Sequence, residues 1–328
     1  MMGKRFALSI ALGFLFFNVS SAAQVIETSK GKIEFIGLEK WTPQLIQEKL
    51  GYNSPDQLHF CATALKKSLG FPDVSVFTYF EGNARYKVIT VVEPQYRDRV
   101  KFKSPPTGSV SVPLSWAELI TTAEKDYGQE VAYGLLDYGK RQQKSAEAEK
   151  QKEAPAWWPL LEQRRTPDDY KLALRVLSED RVSAKRIVAA AVLLNFPKED
   201  GAWQALMEGL RDPEDMVIAS CMHALKLLAD YSPRPVNWAP VAESIRHILN
   251  GTSLFGLPFA IDALLKTGAS TELAKPVLRD AGGRMLLSFL QAEHQTEKER
   301  SHQLLVKLSG QDFGYDALRW SAWIKNLK

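Results

Sequence analysis

The first hundred residues alternate between strand-like and helical runs. Residues 32–37 alternate apolar and polar side chains, as a half-buried strand does. Two helices are predicted at 42–51 and 54–70, each opened by a hydroxyl residue followed by proline and closed near a glycine. Residues 74–80 and 86–92 are rich in β-branched and aromatic side chains, and the short turn between them predicts a hairpin. The pattern therefore predicts an α+β domain in the order strand, helix, helix, strand, strand.

Helical periodicity dominates the rest of the chain. A turn cluster at 104–108 ends the first domain, and apolar residues then recur at helical spacing over 114–138. Residues 140–153 are charged and Gln-rich and have no apolar side chain larger than alanine, which predicts a solvated helix or a linker. The expected division is a leader at 1–23, the α+β domain at 24–100, a helical linker region at 101–159 and an all-α domain at 160–328.

The all-α domain carries an internal repeat. The apolar pattern around Leu177 and Val188 recurs around Leu210 and Cys221, 33 residues later, and weaker copies follow at offsets of 39 and 41 residues. Paired helices with such a period are typical of an α-solenoid. The amphipathic segment 315–327 is predicted to cap the end of the array.

The α+β domain resembles the polypeptide-transport-associated (POTRA) domain of bacterial envelope proteins. Three motifs carry the resemblance, and they follow one another in the family's order: Ile33-x-Phe35-x-Gly37, Leu69-Gly70-Phe71-x-Asp73-Val74-x-Val76 and Ile89-x-Val91-Val92-Glu93-Pro94. The resemblance implies a role in the cell envelope and places the strand 74–80 at an edge of the sheet. The alternative is a ferredoxin-like α/β plait with no connection to transport.

The repeat resembles the HEAT repeat in its second copy. There Leu210-Arg211-Asp212-Pro213 precedes a helix that carries Ala224 and Leu225, and in this family such an aspartate caps the second helix of the pair. The third copy has Gly251 in place of the aspartate. The resemblance implies a HEAT-like solenoid.

The N-terminus has the pattern of a cleaved secretory signal peptide. A basic start, an apolar run of 12 residues and small residues near Ala22 make up residues 1–23. No cysteine lies near the cleavage point, and no later apolar run approaches the length of a membrane span. The net charge is +4, and it falls to +2 without Lys4 and Arg5. We therefore expect a periplasmic or secreted protein whose partners are envelope proteins and not nucleic acid.

The sequence contains no recognisable catalytic, cofactor or metal motif. His294 and His302 match no metal-binding spacing, and their Gln- and Lys-rich surroundings predict an exposed connection. No Gly-rich phosphate loop follows a strand, and a Gly-x-Ser-x-Gly elbow is absent. We predict no catalytic residue, no cofactor and no metal.

Two further groups of residues are candidates for a role. Arg181, Lys185 and Arg186 form a local basic patch, which would attract an acidic peptide or an anionic lipid surface; the alternative is an ordinary solvated helix face. Cys61 and Cys221 both fall on apolar helical faces and are predicted to be reduced and buried in separate cores. The alternative is a disulfide that joins the two domains.

These observations favour a non-catalytic adaptor of the periplasm or cell envelope. It would bind proteins through a sheet edge and a solenoid groove. The predicted protein-binding residues are Val74, Val76, Phe77, Thr78 and Phe80. Because neighbouring residues of an edge strand alternate, one of Val76 and Phe77 should donate its N–H outward. Two alternatives remain: an envelope assembly or secretion factor, and an enzyme with a site at the domain junction, 114–165.

The leader predicts where the mature chain begins. Cleavage after Ala22 or Ala23 leaves Ala23 or Gln24 as the first residue, because these positions put serine at −3. The intact mass of the exported protein measures this directly. A chain that retains Met1 in a membrane fraction would contradict it.

Overall fold

The computed structural model describes residues 24–81, 84–142, 155–279 and 283–327. The predicted signal peptide lies outside these residues, and so does most of the mixed-charge stretch 140–153. The described chain is a mixed α/β protein, in which a small four-stranded sheet is followed by many helices.

The N-terminal part contains the predicted order of elements with one strand added in front. Its elements are β1 Gln24–Thr28, β2 Gly31–Ile36, α1 Pro43–Lys49, a 3-10 helix Pro55–Phe60, α2 Ala62–Lys67, β3 Asp73–Glu81 and β4 Ala84–Val92. The sheet order is β1-β2-β4-β3, with β2 and β4 parallel and the other pairs antiparallel. The predicted second helix is a 3-10 helix followed by α2. The Ser54 capping box opens the 3-10 helix.

Strand β1 is absent from the prediction, since it is short and directly follows the predicted leader. It pairs with β2 through a tight turn that ends at Gly31, whose φ is +112°. A Cβ at Gly31 would lie 2.1 Å from the Arg85 carbonyl oxygen, so only glycine fits this approach.

The sheet is covered on both faces. One face packs on α1 and α2, where Ile33, Phe35 and Ile89 join a core with Ile46 and Leu65. The other face contributes its own residues to the large core of the helices; these are Ile36, Tyr86, Val88 and Val92. Burial on two faces explains why the second half of β4, residues 88–92, is an almost continuous apolar run, whereas its first half alternates.

From residue 114 onward the described chain is mainly α-helical. Their bounds are α3 Leu114–Lys125, α4 Gln129–Gln142, α5 Trp157–Glu162, α6 Pro167–Glu179, α7 Ser183–Leu193, α8 Asp200–Gly209, α9 Asp215–Tyr231, α10 Ala242–Leu249, α11 Leu257–Thr267, α12 Thr271–Leu278, α13 Arg284–Leu290, α14 Gln295–Ser309 and α15 Ala317–Lys325. Two further 3-10 helices span Pro94–Arg99 and Ala239–Val241.

The repeat found in the sequence corresponds to helix pairs. An offset of 33 residues carries α6 and α7 onto α8 and α9, the offset of 39 continues to α10 and α11, and the offset of 41 to α13 and α14. Asp212 accepts a hydrogen bond from the Glu214 N–H at 2.9 Å in the turn before α9, but no side chain caps the first turn of that helix, so Asp212 is not the expected capping residue. At the next copy Gly251 has φ +113°, and a Cβ there would lie 2.6 Å from Val92 of the sheet. The sheet thus leaves no room for an aspartate at this turn.

The region predicted as a linker is packed against the helices. Apolar residues of α3, α4 and α5 join the large core, among them Trp116, Val131 and Trp157. Residues 101–113 form no helix or strand and run along the turns of the helix pairs: the N–H groups of Lys103 and Val110 donate to the Arg211 carbonyl and the Asp180 carboxylate, each at 2.7 Å. These contacts hold the segment in place.

The predicted basic patch is wrong for Arg186. This side chain is only 2% exposed, and its guanidinium donates two hydrogen bonds of 2.9 Å to the Asp212 carboxylate and a third to the Asp180 carbonyl. Lys185 is half-buried and pairs with Asp180 at 3.1 Å, so only Arg181 is exposed. The spacing of the basic residues does not reveal that the carboxylates of Asp180 and Asp212 neutralise Lys185 and Arg186.

The buried ion pair predicts an asymmetry within the former patch. Arg186→Met leaves the Asp212 carboxylate buried without its partner, so the free energy of unfolding should fall by about 3–5 kcal/mol. Arg181→Met, at the exposed position, should change it by less than about 0.5 kcal/mol. Urea denaturation followed by circular dichroism measures both. Equal losses in the two variants would contradict the pairing.

Candidate functional site

Strand β3 lies at one edge of the sheet, and its outer side is open. The sheet order places β4 on its inner side only. Among the described residues, no backbone hydrogen bond joins the outer side of β3 to another segment. An edge of this kind offers unpaired N–H and C=O groups to an incoming strand.

The register of the hairpin decides which backbone groups face outward. Glu81 and Ala84 form the last pair of the ladder, and because only two residues separate them, this pair exchanges both backbone hydrogen bonds. Bonded pairs alternate with non-bonded pairs, so the odd-numbered residues of β3 bond to β4. The N–H and C=O groups of Val76, Thr78 and Phe80 therefore face the open edge.

The side chains of these residues lie on the face that carries α1 and α2. Val74 is buried in the core beneath these helices, and Val76 packs at its border. Thr78 and Phe80 follow on the same face beyond the helices, and both are exposed, Phe80 at 69%. Of the predicted protein-binding residues, these two present both a side chain and an outward backbone.

The opposite face of β3 is bound to the helices. The Phe77 ring stacks on Phe255 with 5.6 Å between the centroids. Tyr79 lies against the His294 ring at 3.9 Å, and its hydroxyl donates to the Glu297 carboxylate. Burial raises the pKa of the Tyr79 hydroxyl, and the Glu297 charge raises it further. The Phe77 side chain is therefore half-buried against the helices, and its N–H bonds to β4.

The turn between α10 and α11 covers the first residues of β3. The buried Asp73 carboxylate accepts hydrogen bonds from the Leu254 N–H at 2.8 Å and the Val74 N–H at 2.9 Å. Burial raises the pKa of Asp73, while these bonds and Lys66 at 3.7 Å favour its charged form. Asp73, Val74 and Ser75 are all buried. The accessible part of the edge is thus residues 76–80.

A second buried carboxylate holds the centre of the sheet against the helices. Glu34 of β2 is fully buried and accepts from the Glu293 N–H at 2.6 Å, the His294 N–H at 3.0 Å and the Tyr86 hydroxyl at 3.0 Å. The charge in the middle of the apolar run Ile33-Glu34-Phe35 was the one sequence signal for this contact.

His294 is buried, contrary to the expectation of an exposed connection. Its ring lies between Tyr79 and Tyr86, because the sheet covers the start of α14. His302, further along α14, is hydrogen-bonded to Asp312 at 2.7 Å. In the part of the chain that the structure describes, no group of three His, Cys, Asp or Glu side chains is arranged to hold a metal ion.

Both cysteines are free and buried, as predicted. Cys61 belongs to the core under α1 and α2, and Cys221 to the large helical core. Burial raises the pKa of the Cys61 thiol to about 12, so it is protonated and unreactive at neutral pH.

Within the described residues, no helix is both long enough and apolar enough to cross a bilayer. No protein-family model, curated protein or solved structure matches the chain.

The register of β3 predicts opposite effects of proline at neighbouring positions. Thr78→Pro removes an outward N–H, so the fold should be retained with a change in the free energy of unfolding within about 1 kcal/mol. Phe77→Pro removes a ladder hydrogen bond and the stacking on Phe255, so it should unfold the domain or destabilise it strongly. Thermal denaturation by circular dichroism compares them. A stable Phe77→Pro beside an unfolded Thr78→Pro would reverse the assigned register.

Proposed function

We propose that this protein is a non-catalytic adaptor of the cell envelope, which acts in the periplasm after removal of its leader. It binds an extended segment of a partner protein, which adds as a strand to residues 76–80 of β3. The observation that carries the proposal is the open edge itself: β4 pairs with the inner side of β3, no backbone hydrogen bond from another described segment reaches its outer side, and Thr78 and Phe80 are exposed there.

The edge suits strand addition for physical reasons. Three outward residues, Val76, Thr78 and Phe80, alternate along five positions and offer up to six backbone groups. Such pairing provides affinity through the main chain, while side chains on alternate positions select the partner. The contacts of Asp73, Phe77 and Tyr79 hold the strand in place before the partner arrives, which lowers the entropic cost of binding.

The resemblance to POTRA domains supports this role. Its motif residues hold the sheet together: Gly37 has φ +94°, and a Cβ there would lie 2.3 Å from the Val91 carbonyl oxygen. The buried Glu93 carboxylate accepts hydrogen bonds from the N–H groups of Glu39, Lys40 and Trp41 at 2.7–2.9 Å. These bonds fix the turn between β2 and α1. In the proposal, the process served is envelope assembly or secretion.

The helical part is proposed to be a HEAT-like solenoid that offers a second protein-binding surface. The succession of equivalent helix pairs supports this architecture. Successive turns within these pairs contact residues 101–113 and the sheet, at Asp180, Arg211, Thr252 and His294. In a solenoid this would leave the opposite side of the array for a partner.

Photocrosslinking in the native envelope tests the proposal. A benzophenone side chain in place of Phe80 should give a discrete adduct with a partner protein. Thr78→Pro in the same chain should abolish that adduct, because it removes an outward donor. Thr78→Ala keeps the N–H and should leave the adduct intact.

A benzophenone in place of Leu318, which is exposed on α15, controls for random collision. The same adduct from position 318, or one that survives Thr78→Pro in a folded protein, would overturn strand addition at β3.

A further inference from the structure

An exposed aromatic ring beside the sheet edge is flanked by two ammonium groups. Phe60, at the end of the 3-10 helix, is 70% exposed. The Nζ atoms of Lys30 and Lys87 lie 5.1 and 5.4 Å from its ring centroid. Lys87 is held there by a hydrogen bond from its Nζ to the His59 carbonyl at 2.6 Å.

The register places these cations on the same face as the open half of β3. Lys87 on β4 is directly opposite Thr78, and Arg85 is directly opposite Phe80. Directly opposed residues of an antiparallel pair project from the same face of the sheet. Arg85 and Lys87 therefore border Phe80 and Thr78, and Lys30, in the turn between β1 and β2, lies on the other side of β4.

The positive charge of this corner is only partly neutralised within the described residues: hydrogen bonds from Ser29 and the charge of Lys30 lower the pKa of Asp56, the acid beside it. Lys30, Arg85 and Lys87 have no ion pair with a described carboxylate. The acid beside them, Asp56, is engaged by the Ser29 N–H at 2.9 Å and by the Ser29 hydroxyl, while Glu27 pairs with Lys32. Burial lowers the pKa of the Lys87 ammonium, and the nearby charges of Arg85 and Lys30 lower it further.

We infer that the segment added to β3 is acidic, with glutamate side chains at alternate positions on the face that carries Phe60, Phe80 and Arg85. This inference rests on the proposed function and specifies its partner. An incoming strand lies two strand spacings, about 10 Å, from β4. Arg85 is directly opposite Phe80 and diagonal to Thr78, and the short Thr78 side chain leaves room for Arg85 and a glutamate of the incoming strand to span this distance.

The location favours a peptide over a membrane surface. The cations follow the strand edge with the two-residue period of a β-strand, Arg85 beside Phe80 and Lys87 beside Thr78. An extended acidic segment meets this period with every second side chain and bonds the outward backbone groups at the same time.

Two synthetic peptides test the inference with the whole mature protein. One alternates Glu and Val, and the other replaces each Glu with Gln, which keeps the shape and removes the charge. Fluorescence anisotropy should show that the Glu peptide binds about tenfold more tightly at low ionic strength, and salt should reduce the difference.

The variant Lys30→Gln/Arg85→Gln should remove this preference and leave the affinity for the Gln peptide unchanged. Neither side chain has a hydrogen bond or an ion pair to lose among the described residues. Lys67→Gln, at an exposed position of α2, removes the same type of charge from the same domain and should retain most of the preference.

The outcomes separate this inference from the proposed function. Thr78→Pro should abolish binding of both peptides. If both peptides bind equally and both are lost in Thr78→Pro, the acidic preference is wrong and the strand edge remains. If Glu-peptide binding survives Thr78→Pro, strand addition itself is wrong. If the Lys30→Gln/Arg85→Gln variant loses binding to phosphatidylglycerol vesicles, while the unmodified protein binds the Glu and Gln peptides equally, the patch would be assigned to a membrane.

Discussion

A buried carboxylate in the middle of the sheet ties the two parts of this protein together. Glu34 has no contact with solvent, and a buried charge costs several kcal/mol unless hydrogen bonds replace its hydration. Its three donors are the Tyr86 hydroxyl, 52 positions along the chain, and the N–H groups of Glu293 and His294, about 260 positions along. The N–H groups of Glu293 and His294 reach Glu34 only when the sheet lies against the start of α14. The buried carboxylate therefore stabilises this one position of the sheet on the helices.

The docked sheet determines which surfaces remain for function. The helices cover its second face. The Phe77 ring stacks on Phe255 and the Tyr79 hydroxyl donates to the Glu297 carboxylate, and both contacts extend this interface to the edge strand β3. Asp73 closes the beginning of β3 through Leu254. A strand that is buried at one end and anchored on one face is left with the outward backbone groups of Val76, Thr78 and Phe80, and its backbone is already extended there.

The helical part depends on a similar device at a second place. Arg186 and Asp212 neutralise each other inside the core, and the Arg186 guanidinium also reaches the Asp180 carbonyl, so successive turns of the helix pairs are joined. Residues 101–113 add to this line of turns through Val110 and Lys103. These contacts join the turns of successive helix pairs to one another and to residues 101–113.

Local periodicity was sufficient to predict β2, β3, β4, α1 and the helix pairs, because the spacing of apolar residues follows directly from burial on one side of an element. The two cysteines were likewise predicted from their apolar neighbours. Three features depended on contacts between residues far apart: the burial of Arg186, the burial of His294 and the packing of the linker region. Charge and polarity make such residues look exposed in a sequence, and only a partner brought close by the fold removes the cost of burying them. The open half of β3 was decided in the same way, since the contacts of Asp73, Phe77 and Tyr79 with the helices determine which part of the strand stays exposed.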